Sequence, residues 1–323
     1  MANKHQFTIE GRTITLSNLD KILYPATGFR KADVIDYYSR VSTWLLPHLR
    51  DRPVTLKRFP DGIAGRAFYE KDAPRFTPDW VRIAPVPRRA GGPEIRYIMI
   101  DDLPTLVWCA NMASLELHPF LHRNPALDRP TSIVFDLDPG EGATVITCAE
   151  VAFLLRDTLD RLQLQSFPKM SGSKGIQIYV PLNTPVTYAA TRPFAHAIAQ
   201  LLEMEHPKLV VSEMAKGLRN GKVFIDWSQN SDFKTTIGVY SLRAKRDRPF
   251  ISLPVTWDEL KVLHKKVDPG RLCLEATAAL KRIEKKGDLF SPVLTIRQHL
   301  PRNFKASAPK ATAARGLRRL PRE

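Results

Sequence analysis

Three cysteines, Cys109, Cys148 and Cys273, are all that this 323-residue sequence contains. The odd count and wide spacing exclude a disulfide framework and a zinc knuckle built on paired cysteines. A reduced, cytosolic compartment is the expectation. No apolar run approaches the roughly 20 residues that a spanning helix needs, so no membrane partner is expected. The opening stretch "MANKHQFTIEGRTITL" has no apolar signal core. Internal repeats are absent, which excludes a solenoid. Acidic residues are also short: 33 Asp and Glu stand against 49 Lys and Arg, a formal net charge of +16. That deficit excludes an acidic, self-solvating chain and favours an anionic partner, nucleic acid first. A solvated basic surface is the plain alternative.

What is present reads as globular. Hydrophobic residues make up 43%, enough for a sizeable core at this length. "QFTIEGRTITLSNLDKILYP" alternates like strands joined by a turn. "RKADVIDYYSRVSTWLLPHL" has helical spacing, and "RPVTLKRFPDG" is a strand closed by Pro-Asp-Gly. Residues 72–93, with Arg88 and Arg89, read as an exposed basic loop, and "LPTLVWCANMASLELH" as a buried helix. Strand 131–138, helix 144–163, strand 176–181, helix 188–204 and strands 222–227 and 235–241 follow. The pattern predicts an α/β core with a mixed or antiparallel sheet. Thr256 and Glu259 form a capping box before "TWDELKVL". One catalytic unit over 1–301 is expected, followed by a basic, Ala/Pro-rich tail over 302–323 that reads as disordered.

"SIVFDLDPGEG" holds two aspartates, Asp136 and Asp138, inside an apolar run. On a strand they share a face, while Phe135 and Leu137 face the core. Carboxylates side by side resist ionising together unless a cation lies between them. Mg²⁺ and similar hard cations take oxygen ligands and also bind phosphate oxygens. Asp226, in "KVFIDWSQN", ends another apolar strand in the same way. Three such carboxylates suit two metal ions roughly 3.5–4 Å apart, as in polymerases and nucleases. Taken alone, D-x-D also fits solvated strand ends, sugar-nucleotide transferases and aspartyl phosphatases. In a phosphatase Asp136 would be nucleophile and Asp138 acid/base. Asp226 favours the metal reading, because the phosphatase scheme does not require it.

"KMSGSKGIQIYV" places Ser171, Gly172, Ser173, Lys174 and Gly175 before a strand. Small residues admit phosphate to backbone N–H groups, hydroxyls add donors, and Lys174 adds charge. The spacing is not that of a P-loop, and an ordinary hairpin turn is the alternative. His118 follows an apolar segment, where a structural histidine is the commoner finding. Arg219, Lys222 and Arg243 lie near strand ends around Asp226 and could balance a triphosphate, or simply be solvated.

Together "TLSNLDKILYPATGFRKADVIDYY", "LKRFPDGIAGRAFYEKDAP", "LELHP", "VFDLDPGEG", "SGSKGIQIYVPL", "LRNGKVFIDWSQN" and "TTIGVYSLR" resemble, in the same order, the polymerase domain of bacterial DNA ligase D, a primase-polymerase of the archaeo-eukaryotic primase superfamily. The resemblance runs from about 16 to 290. It implies a primase-polymerase fold with two mixed or antiparallel sheets flanked by helices and the active site between them. It implies that Asp136, Asp138 and Asp226 bind two divalent ions, Mn²⁺ or Mg²⁺. Lys57, His118, Ser171, Lys174 and Arg243 would contact the nucleotide, with Arg219 and Gln229 lining the same site. Phe68 and Tyr69 would lie against nucleotide or template base. Asn18 and Lys21, with Lys31 nearby, would hold a 5′-phosphate at a gap or double-strand-break end. Extension of 3′ ends with NTPs, ribonucleotides over dNTPs, is the implied activity, in the bacterial nucleoid. The sequence carries no K-x-D-G ligase motif. A stand-alone polymerase or an excised domain, served by Ku and a separate DNA ligase, is therefore expected. A non-catalytic, basic module that binds DNA ends is the rival.

Overall fold

The computed structural model describes residues 4–266 and 272–301. The expected tail over 302–323 lies outside the described residues.

Side-chain alternation decides how the molecule is layered. In the strand Ser132–Pro139, Ile133, Phe135 and Leu137 are fully buried in a core shared with the helices Val145–Arg161 and Tyr188–Glu205. Val134 points the opposite way, into a second core. Asp136 and Asp138 continue that second face toward the strand end, where the apolar contact gives out. The strand lies in a six-stranded sheet ordered Val210–Val211, Val223–Asp226, Ser132–Pro139, Ile176–Pro181, Phe167–Met170, Leu253–Pro254. Its pairings are antiparallel except the first, which is parallel.

A five-stranded sheet faces it. Pro53–Arg58 pairs with Phe68–Glu70 and Ile95–Met99 on one edge and with Ser114–Pro119 on the other, and Ile83–Val86 pairs with Ile95–Met99. Val54, Leu56, Leu115 and Leu117 enter the second core with the helices Lys31–Leu49 and Leu103–Asn111. Their neighbours Thr55, Lys57, Glu116 and His118 take the opposite face. Tyr37 and Tyr38 tie the long helix in, donating to the carbonyls of Tyr240 and Leu115 at 2.7 Å each. The expected mixed α/β architecture, with sheets flanked by helices, is the observed one.

Three local expectations are corrected. The segment read as one buried helix is a helix, Leu103–Asn111, followed by the strand Ser114–Pro119. Ala113, at φ 57, breaks the helix between them. The polar–apolar alternation of S-L-E-L-H marks that strand in the sequence, but it was absorbed into the apolar helix that precedes it. The loop read over 72–93 contains the strand Ile83–Val86. "TTIGVYS" forms only a bridge, Phe120 to Thr235, with the short strand Leu242–Arg243 after it. The capping box holds: Glu259 N–H donates to Thr256 Oγ1 at 3.1 Å, and Thr256 N–H donates to Glu259 at 2.9 Å.

Candidate functional site

Sheet register brings the three acids together. Asp136 sits directly opposite Asp226, and Asp138 is one step along the same face. Asp136 and Asp138 lie at a cavity of about 750 Å³ lined from both sheets, by these two and Gln177 on one side and by Thr55, Tyr69 and His118 on the other; Asp226, beside Asp136 on the next strand, is not in the lining. Burial raises the Asp136 carboxyl to about 7, with the Asp138 charge adding to it. Burial and then Asp226 raise Asp138 as well. These are carboxylates short of positive charge.

Their hydrogen bonds are unequal. Asp136 Oδ1 is buried with no partner. Asp226 is occupied: Oδ1 accepts from the Ser228 N–H at 2.9 Å and its hydroxyl at 2.5 Å, and Oδ2 accepts from Gln229 Nε2 at 2.9 Å. Among the described residues, no three His, Cys, Asp or Glu side chains converge as a ready-made metal cluster. The donor set still fits a hard cation. It is all oxygen, electrostatically unpaired, and includes an orphaned buried acceptor.

The next residues in the same row across the sheet were not foreseen. Gln177 pairs with Asp136 on one side and Lys169 on the other. Lys169 is fully buried and donates to Gln177 Oε1 at 2.5 Å, Ser252 Oγ at 2.7 Å and the Ile237 carbonyl at 3.1 Å. All three ammonium protons thus have acceptors. Burial lowers its pKa, and the nearby Asp136 acts against that shift.

The opposite wall is cationic. Arg243 and His118 line the cavity, and both bond Glu116 Oε2 at 2.9 Å. Lys57 stands 4.0 Å from the same oxygen but behind the lining, under Tyr69, whose ring centre is 5.4 Å from its ammonium. Burial works to raise the Glu116 carboxyl, yet the His118 hydrogen bond and the Arg243 guanidinium hold it down at about 2. Burial lowers His118, and Glu116 offsets part of this. Glu116 was missed because its segment was read as helix. On a strand, positions 116 and 118 share a face, and L-E-L-H would have paired them.

The Ser-Gly-Ser-Lys-Gly segment is the turn between Phe167–Met170 and Ile176–Pro181. Ser171 Oγ accepts from the Ser173 and Gly175 N–H groups at 3.2 Å each. Those two amides are therefore committed to the turn. Arg246 donates to the Ser173 carbonyl. Ser171, Ser173 and Lys174 line the cavity. Gly172 has φ +72, and a Cβ there would lie 2.6 Å from Arg243 Cγ and 2.8 Å from the Ile251 carbonyl oxygen. Only glycine lets the turn close over Arg243.

Arg219 and Gln229 also line the cavity. The Arg219 guanidinium lies 3.7 Å from the centre of the Phe224 ring and donates to the Met214 carbonyl at 2.7 Å. Tyr69 is in the lining, whereas Phe68 is not and is covered by Arg58 at 5.2 Å. Lys71, Lys234 and Lys245 add positive charge that sequence reasoning did not single out. Arg89, from the basic loop, stacks 4.1 Å from the Phe233 ring at the cavity rim.

A separate hollow of about 440 Å³ is lined by His5, Asn18, Leu19, Asp20 and Lys21. Asn18 adopts φ 51, which turns the chain there. Lys21 pairs with Asp61 at 2.9 Å. Lys31 is not in this lining: it is buried and donates to the Ser17 carbonyl at 2.6 Å. Burial lowers its pKa to about 8.

Two facing sheets with acids on one and a buffered cationic wall on the other define the class of protein, and residues 30–290 match the family described as the LigD primase-polymerase domain. The chain belongs to that family. It is 43% identical over 282 residues to the multifunctional non-homologous end joining protein LigD of Mycolicibacterium smegmatis, covering 87% of this chain and 36% of that protein. It is 33% identical over 279 residues to the bifunctional LigD protein of Bacillus subtilis, covering 86% of this chain and 43% of that one. The chain thus spans well under half the length of these relatives. The solved polymerase domain of Mycobacterium tuberculosis ligase D, in complex with DNA, superposes with a TM-score of 0.81 at 43% identity, over 87% of this chain and 98% of that one. Among the described residues, no helix is long and apolar enough to cross a membrane.

Proposed function

We propose that this chain is a repair polymerase. It adds NTPs, ribonucleotides in preference to dNTPs, to 3′ ends at gaps and double-strand breaks in non-homologous end joining. The observation that carries the reading is the register of Asp136 against Asp226, with Asp136 and Asp138 facing Arg243 and His118 across one cavity. Asp136, Asp138 and Asp226 would hold two divalent ions, Mn²⁺ or Mg²⁺, which when bound lower the pKa of the attacking hydroxyl and neutralise phosphate charge. The primer 3′-oxygen attacks the α-phosphorus and loses its proton. A new P–O bond forms, the α–β bridge breaks, and pyrophosphate leaves. Arg243, His118, Lys174, Ser171 and Ser173 bind the triphosphate and stabilise the charge passing to pyrophosphate. Gln229 orients Asp226, Arg219 adds charge beside Asp138, and Lys57 supports Tyr69. Tyr69, with Phe68 beyond it, offers a ring for base stacking. Asn18 and Lys21 would take a 5′-phosphate across the gap, with Lys31 bracing Ser17 beneath them. Ku and a separate ligase are the proposed partners.

Extension of a labelled, gapped primer with NTP and Mn²⁺ tests the reading. Wild-type extension, lost in Asp136→Ala/Asp138→Ala with DNA binding retained, is the expected result. Equal behaviour of the two proteins would leave only a module that binds DNA ends.

A further inference from the structure

We infer that Glu116 is a positioning residue for nucleotide binding, one carboxylate that aims the cationic wall at the triphosphate. The inference rests on the reading that the cavity takes a nucleoside triphosphate.

Glu116 has no exposed surface, so it touches no substrate. Its two oxygens do different things. Oε1 accepts from the Ala244 N–H at 2.9 Å, which fixes the carboxylate to the backbone beside Arg243. Oε2 collects Arg243 and His118 at 2.9 Å each, with Lys57 at 4.0 Å. These three groups come from three different strands: Leu242–Arg243, Ser114–Pro119 and Pro53–Arg58. One oxygen therefore sets the relative placement of basic side chains that no local sequence links.

The bond also decides what each cation has left to offer. Arg243 gives Nη1 to Glu116, while its Nε is buried with no partner. A guanidinium held at one edge in this way keeps further donors for an anion. His118 gives its Nε2–H to Glu116, which leaves Nδ1 to donate to an anion once the ring is protonated. Without an anion, Glu116 also keeps three buried basic groups from repelling one another.

A purely structural role is the alternative, with Glu116 merely tying the Leu242–Arg243 segment to Ser114–Pro119. Other bonds already make that connection. Ser241 Oγ accepts from the Leu117 N–H at 2.9 Å, the Gly238 N–H donates to the Leu117 carbonyl at 2.8 Å, and the Leu242 N–H donates to Tyr38 Oη at 3.1 Å. What Glu116 adds to these is control over side chains.

The test is a kinetic cycle on gapped DNA with ATP opposite a templating T and Mn²⁺. It compares wild type, Glu116→Gln, Arg243→Gln with His118→Ala, and the triple variant. Glu116→Gln should raise the nucleotide KM about tenfold or more and change kcat less than about threefold. Affinity for the 5′-phosphorylated gapped DNA should stay as in wild type. In the background lacking Arg243 and His118, Glu116→Gln should add less than about twofold, because its targets are gone. A KM like that of wild type in a folded Glu116→Gln protein overturns the inference. So does a full tenfold effect repeated in the triple variant. If Glu116→Gln does not fold, Glu116→Asp replaces it, keeping the charge but withdrawing it by one methylene; an unchanged KM there overturns the inference equally. A wild-type protein that neither binds ATP nor extends the primer fails the polymerase reading itself, whereas a working wild type with an indifferent Glu116 fails only this inference.

Discussion

The two walls of the cavity treat charge in opposite ways. On the five-stranded side, Arg243, His118 and Lys57 surround Glu116, which sits at about 2 and is ionised at any working pH. On the six-stranded side, Asp136 and Asp138 crowd each other and Asp226, and Asp136 rises to about 7. The basic wall is partly offset and tied together from within, by the one carboxylate of Glu116. The acidic floor has no such partner: burial and mutual repulsion raise Asp136 and Asp138, which costs stability wherever they are ionised.

The largest break in this contrast comes from removing floor charge. Asp138→Asn should cut primer extension at least about a thousandfold in single-turnover assays while leaving DNA affinity intact. Gly172→Ala attacks the cationic wall instead. Its new Cβ meets Arg243 Cγ and a backbone oxygen at a positive φ. We expect a nucleotide KM raised about tenfold and a loss of roughly 1–2 kcal/mol of stability by denaturant titration.

A subtler comparison uses stability without metal. The Asp136 carboxyl is raised in the folded state from 3.8 to about 7. The folded protein therefore binds that proton more tightly than the unfolded chain. Stability falls as pH rises from about 3.8 to about 7, and the penalty is complete above it. Asp136→Asn should thus raise the denaturation midpoint of the metal-free protein at pH 8 while inactivating it. Glu116 has the reverse sign. Its folded pKa lies below the unfolded 4.5, so its contribution is present above pH 4.5 and lost as pH falls toward about 2. Glu116→Gln should flatten the acid limb of the stability profile over that window. The smallest effect is expected outside the cavity. Lys21→Ala should lower the preference for 5′-phosphorylated over 5′-hydroxyl gaps by about threefold in binding assays, because an exposed cation acts through screened charge.

The acidic floor was far more legible in the sequence than the cationic wall. Asp136, Asp138 and Asp226 stand at the ends of apolar runs, where a charged residue advertises itself, and period-2 alternation gives their shared face directly. Their register against each other is long-range and came only from the fold. Glu116 and Lys169 are buried among apolar neighbours, in strands whose two faces are both covered. In such strands a polar residue need not mean solvent, and the alternating S-L-E-L-H was read as the end of the preceding helix. Lys31 looked like a free lysine beside Asn18 and Lys21, but the start of its helix turns its ammonium onto the Ser17 carbonyl. The resemblance to ligase D polymerase domains pointed to His118, Lys57 and Arg243 one by one, but not to the carboxylate of Glu116 that they share.

Direct titration of Mn²⁺ into the metal-free protein, followed by calorimetry at pH 8, tests the contrast between the walls most directly. The account predicts binding by wild type and by Glu116→Gln, and loss of that binding in Asp136→Asn and in Asp138→Asn. Mn²⁺ binding that survives in both aspartate variants would contradict it.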